Sequence, residues 1–212
     1  MTETSIDILR HVDKLLFDHS NNSYVDLLIE AKKEYFNLTG KVTEEDDEFE
    51  SRMNCFNDWF LFEFISPKDT RTIIQKYIDD ENSDPDVKKA FQSMNHSLFE
   101  LVNSSLRKQI ILKDVLHDKK LTLSINQNNI ALVEDDVFIG RIICYKDEYF
   151  LLKGVCTFPD AIRSTLVKQA KKVKKLKNLK EEINFLLNLI KLKTKWIRYG
   201  HIETSKIFVF TT

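Results

Sequence analysis

Between Leu98 and Val155 the apolar residues of this chain change their spacing, and that change limits its fold more than any other feature. The segments LFELVN, QIILKDV, KLTLSI, VFIGRIICYK and EYFLLKGV are short, rich in β-branched and aromatic residues, and separated by polar breaks. Runs of this kind form strands. Lys146–Asp147 joins the last two as a hairpin turn. Five short strands with little other cover need closure or a packed helix to hide their edges. The expectation is a small antiparallel sheet or partly closed barrel, as a β domain over residues 96–158.

On both sides of that region the apolar spacing is helical. Ile6, Leu9, Val12, Leu16 and Phe17 form one stripe, and Tyr24, Leu27, Leu28, Ala31 and Tyr35 form a second. Asn21–Asn22–Ser23 breaks the pattern between them, which predicts a helical hairpin. Phe49, Met53, Phe56 and Phe60 recur at three- and four-residue steps and predict a further helix. It ends in CFNDWFLFEF, the densest apolar stretch of the chain. Trp59 is expected in the core, with Asp58 supplying a structural hydrogen bond or cap. Glu63 follows Asp58 by five residues, off the same helical face, so a paired-carboxylate site is not expected. Ser66–Pro67 turns the chain, and TRTIIQKYIDD and DPDVKKAFQSMNH continue as helices, Pro85 suiting a first turn.

After Pro159 a helix is expected from about residue 160 to 198, either continuous or broken near Asn178. Its stripe includes Val173, Leu176, Leu179, Ile183, Leu187 and Ile190. The tail KIFVFTT is expected as a final strand. The predicted class is therefore α+β, with a helical N-terminal part over 1–95, the small sheet, and a long basic C-terminal helix plus terminal strand over 159–212.

The 212 residues, 42% of them hydrophobic, suffice for one sizeable core or two small ones. A net charge of −1 hides an asymmetry. Residues 1–60 hold 14 acids against 6 bases, a net of −8, and residues 161–212 hold 13 bases against 3 acids, a net of +10. The basic end is suited to a polyanion, or to the acidic end of the same chain or of a partner. Cys55, Cys144 and Cys156 are odd in number and widely spaced, which fits reduced, buried thiols. The opening MTETSIDILRHVDK has no basic leader before an apolar block, and no run reaches membrane-spanning length. The expectation is a cytoplasmic protein without a membrane role.

Motifs for chemistry are absent. There is no HExxH, GxSxG, GxGxxG or GxxxxGK[ST]. No metal, cofactor or catalytic residue is assigned. The aromatic residues Phe138, Tyr145, Tyr149 and Phe150 are candidates for stacking on bases, but neighbouring acids would repel phosphate. The strongest exposed feature is Lys168, Lys171, Lys172, Lys174, Lys175, Lys177 and Lys180, a run without an acid. These seven are the candidate contacts for a polyanion or a protein partner. The preference for lysine over arginine argues against base readout.

The order FNDWFLFEF, HSLFELV, IILKDVLHDKKLTL, EDDVFIGRIICYKDEYFLLKGVCTFP resembles a poorly characterised bacterial domain that accompanies SEC-C zinc-binding segments. The likeness covers about half the chain. It implies helices leading into a small sheet, and it carries no catalytic residues over. The SEC-C segment itself is absent, since no CxC or CxxC occurs. Glu134–Asp135–Asp136 stands where that domain has a polar-glycine turn. The functional expectation is a non-enzymatic interaction or regulatory module with a protein partner or a second copy of itself. The alternative is a sequence-nonspecific nucleic-acid-binding protein that uses the basic helix.

Overall fold

Alternation along two central strands decides which residues meet the helices and which meet each other. The computed structural model describes residues 3–21, 24–104, 110–124, 127 and 132–210. Five N-terminal helices come first: α1 Glu3–Asp18, α2 Val25–Thr39, α3 Phe49–Phe62, α4 Ile73–Asp79 and α5 Pro85–Gln92. The strands are β1 Asn95–Ser104, β2 Ile110–Asp114, β3 Lys119–Thr122, β4 Val137–Tyr145, β5 Glu148–Leu151 and the short β6 Cys156–Thr157. A 3-10 turn at Asp160–Ile162 leads into α6 Arg163–Leu176, α7 Leu179–Arg198 and α8 Thr204–Ile207.

The strands lie in the order β3-β2-β1-β4-β5, all neighbours antiparallel, with β6 also on β4. The sheet curls into a half-barrel. Leu123 bridges to Tyr149, and the Ser124 N–H donates to the Tyr149 carbonyl at 2.8 Å, so the chain after β3 reaches β5. The hairpin between β4 and β5 turns at Lys146 and Asp147, with φ of 48° and 63°, as a two-residue turn between twisted strands requires.

On β4, Phe138 and Ile142 point into the half-barrel, where they pack with Phe99, Leu101, Leu112, Leu121, Leu123 and Leu151. Val137, Ile139, Ile143 and Tyr145 point the other way, into a larger core shared with the helices. Both faces of β4 are thus covered, which is why its sequence is apolar almost throughout. The larger core draws on α1 through α5, on the sheet and on the C-terminal helices, so the three segments share it. Trp59 lies in it, 3% exposed, with the rings of Tyr35 and Phe64 each 5.3 Å away between centroids.

Local signals place the helix ends. Thr72 and Gln75 form a reciprocal capping box on α4, and Asp84 caps α5 ahead of Pro85. Lys177 adopts a left-handed conformation at φ 50°, and Asn178 then caps α7 by accepting from the Lys180 and Glu181 N–H groups. The C-terminal helix is therefore broken at Asn178. The tail corrects an expectation. KIFVFTT forms no strand among the described residues. Thr204–Ile207 is a helical turn that seats Phe208 edge-on against Phe158. No helix among the described residues is long and apolar enough to cross a membrane.

Trp59→Ala should lower stability by roughly 3–5 kcal/mol, the cost of truncating a large buried aromatic. Urea unfolding followed by circular dichroism reads this directly, and an unchanged midpoint would refute a packing role.

Candidate functional site

Helix α6 carries the residues that the sequence singles out. Its inner side holds Leu166 and Ala170 in the core. At three- and four-residue steps around the outer side come Lys168, Lys171, Lys172 and Lys175, all exposed. Together with Arg163, Ser164 and Val167 they line a shallow open groove. Lys177 and Lys180 are exposed at the α6–α7 junction. Lys174 departs from the group, because it pairs with Asp118 in the turn between β2 and β3. The other six lysines make no ion pair among the described residues.

Other C-terminal cations are committed inside the chain. Arg163 donates to Glu100 at 2.8 and 2.5 Å and contacts Asp135 at 2.7 Å. Lys193 is buried, 2.8 Å from Glu48 and 2.6 Å from the Thr157 carbonyl. The acidic and basic ends of the chain therefore meet at Lys193–Glu48, away from the α6 lysines.

The apolar stripe divides at the same junction. Leu187 and Ile190 are buried, whereas Leu176 and Leu179 are 60% and 71% exposed. Two large apolar side chains thus stand in solvent beside Lys175, Lys177 and Lys180. The aromatic stacking surface is not present. Phe138, Tyr145 and Phe150 are buried, and only Tyr149 of the four is partly accessible. Cys144 corrects another expectation, since it is partly exposed. Cys55 and Cys156 are buried, and all three thiols are free.

A buried charge network, unforeseen in the sequence, lies where α3 meets the sheet. Arg141 sits between Ile139 and Ile143 on the helix-facing side of β4. Its Nε and one terminal nitrogen donate to Glu63 Oε1 at 3.0 and 2.6 Å. His96, directly opposite Arg141 in the β1–β4 register, brings Nδ1 within 2.7 Å of the same oxygen, off hydrogen-bond alignment. Asp58, one helical turn and a residue before Glu63, accepts the Gly154 N–H at 2.8 Å. Gly154 must lack a side chain here: a Cβ would stand 2.5 Å from Asp58 Oδ2 and 2.9 Å from the backbone of α3.

Burial opposes ionisation of Glu63, but Arg141 and then His96 outweigh it and hold the carboxyl down at about 2. Burial dominates at Asp58 and raises it to about 6, against the pull of Arg141 and the Gly154 N–H. Burial, then Arg141, lowers His96. Among the described residues no group of three or more His, Cys, Asp and Glu is placed to hold a metal ion.

Residues 14–194 match the model of a family of unknown function, DUF7986. The chain belongs to that family. No curated protein and no solved structure matches the chain. The DUF7986 match spans α2 through most of α7, so it includes both the α6 lysines and the Asp58–Glu63–Arg141 network.

Two outcomes test the network. Arg141→Met should cost roughly 3–5 kcal/mol, because it strands a buried carboxylate. Asp58→Asn should show the opposite sign with pH. The folded chain binds a proton at Asp58 up to about pH 6, the unfolded chain only up to its ordinary 3.8. The penalty of ionised Asp58 therefore grows as pH rises through that window and is complete above it. Relative to the unmodified protein, Asp58→Asn should gain roughly 3 kcal/mol between about pH 4 and pH 7. Glu63 works inversely in both chains, with stability present above 4.5 and lost as pH falls towards 2. Urea midpoints of both proteins across that range give the difference.

Proposed function

We propose that this protein is a non-enzymatic interaction module that docks an acidic segment of a partner protein on α6 and the α6–α7 junction. The observation that carries this reading is the exposure of Leu176 and Leu179 beside lysines that make no ion pair among the described residues. Lysines alone would suit any polyanion. A phosphate backbone offers little apolar surface to two leucines, whereas an acidic segment with apolar residues covers both features. The commitment of Arg163, Lys174 and Lys193 to partners within the chain narrows the basic surface further. The remaining point charges give attraction and on-rate, and the leucines give the desolvated contact.

A second reading, sequence-nonspecific nucleic-acid binding, draws support from the same Lys168, Lys171, Lys172 and Lys175 face. The likeness to the domain that accompanies SEC-C segments adds no partner to either reading.

The test compares three proteins: the unmodified chain, a variant with those four lysines changed to glutamine, and Leu176→Ser with Leu179→Ser. In nuclease-treated lysate both variants should lose the same bound protein. In gel shifts near ~0.15 M salt none should bind DNA or RNA tightly. Tight binding that ignores the leucine changes and loses roughly three to four units of salt slope with the lysine changes would establish the second reading instead.

A further inference from the structure

Between α1, α3 and the loop after β5 lies a cavity of about 180 Å³. Leu9 and Leu16 of α1 and Leu61 of α3 wall it, and Asn54, Asn57 and Asp58 line its polar side. Asp58 is 4% exposed. One carboxylate oxygen accepts the Gly154 N–H, and the other accepts no hydrogen bond among the described residues. That second oxygen is not among the fully buried acceptors, so it stays open and can accept from a donor placed in the cavity that Asp58 lines.

The charge around it is unbalanced. Arg141 of β4 faces two carboxylates, and its hydrogen bonds go to Glu63. Burial and then Arg141 hold His96 of β1 low, which disfavours a second cation there. Lys153, at the cavity mouth, acts on Asp58 through charge, but both its close contacts are to Asp13 of α1, at 2.7 and 2.8 Å. Cys55 is buried and pushed up, so it supplies no charge of either sign. With Asp58 ionised, one negative charge remains at the cavity wall without a hydrogen-bonded cation.

We propose that this cavity binds a small alkylammonium compound, its cationic head on Asp58 and its short apolar chain against Leu9, Leu16 and Leu61. The volume corresponds to about six waters at ~30 Å³ each, which sets the ligand at roughly that many non-hydrogen atoms. Asn54 and Asn57 offer side-chain carbonyls for the ammonium protons that Asp58 leaves over. The Asp13–Lys153 pair at the mouth is exposed, hence weak and able to part on entry.

The test titrates the isotope-labelled protein with n-butylammonium chloride and, separately, with n-butanol, following amide and methyl shifts. Butylammonium should give saturable shifts at Leu9, Leu16 and Leu61, with butanol at least ~10-fold weaker, the worth of a charge-assisted hydrogen bond. A proton competes for Asp58, so affinity should fall roughly 10-fold from about pH 7.5 to about pH 5. Asp58→Asn should bind the two probes alike. Leu16→Trp, which fills the cavity and leaves Asp58 untouched, should abolish the shifts, and it decides the matter if Asp58→Asn does not fold. Equal affinity for both probes in the unmodified protein would overturn the proposal. So would shifts that persist in Leu16→Trp, or no saturable shift at all.

Discussion

The fold turns on a guanidinium placed inside an apolar interface. Arg141 belongs to the face of β4 that packs against the helices, and its neighbours on that face are Ile139 and Ile143. A cation there is tolerable only with a carboxylate in good geometry. Glu63, at the end of α3, supplies it through two bonds to one oxygen. The pairing joins residues 78 apart in sequence and ties the helical part to the sheet at a single register. A slip of β4 by one residue would move Arg141 into the half-barrel among Phe99, Phe138 and Leu151, with no acid to meet it. Gly154 enforces the same docking from the other side, because its loop touches the backbone of α3.

Much of this architecture is legible in the sequence, because it rests on local signals. The five strand segments, the Lys146–Asp147 hairpin, Pro85 at a helix start and the burial of Trp59 each follow from spacing or from one residue's preferences. The half-barrel follows from the need to hide edges. The break at Asn178 stands in the sequence as one of two readings, and the left-handed Lys177 with the Asn178 cap decides between them.

What the sequence conceals is long-range. Glu63, Arg141 and His96 are ordinary residues in their own segments, and nothing local shows that three elements bring them together. The five-residue step from Asp58 to Glu63 rightly removes them from one helical face, yet both feel Arg141, since Glu63 lies where the helix ends. The tail misleads because KIFVFTT has strand-like composition, while the side chain it must bury, Phe208, finds Phe158 from a helical turn. The aromatic strand residues are withdrawn by packing: Phe138 and Tyr145 lie on β4, covered on both faces, Phe150 of β5 is buried too, and only Tyr149 stays partly accessible.

The lysine face shows how far charge patterning carries an argument and where geometry must take over. The sequence shows a run of one sign, and such a run most simply serves solubility. Solubility, however, is met by mixed charges with large apolar side chains withdrawn. Around Lys177 the chain does the reverse. It places the left-handed residue between Leu176 and Leu179, so that both leucines fall outside the packed stripe that continues at Leu187 and Ile190. Leu176 ends α6 off the face that buries Leu166 and Ala170, and Leu179 opens α7 before its buried positions begin. The two leucines flank the break, and the Asn178 cap stabilises it. An exposed apolar pair at a capped turn, beside lysines that make no ion pair among the described residues, supports the proposed docking surface over a face shaped only for solubility.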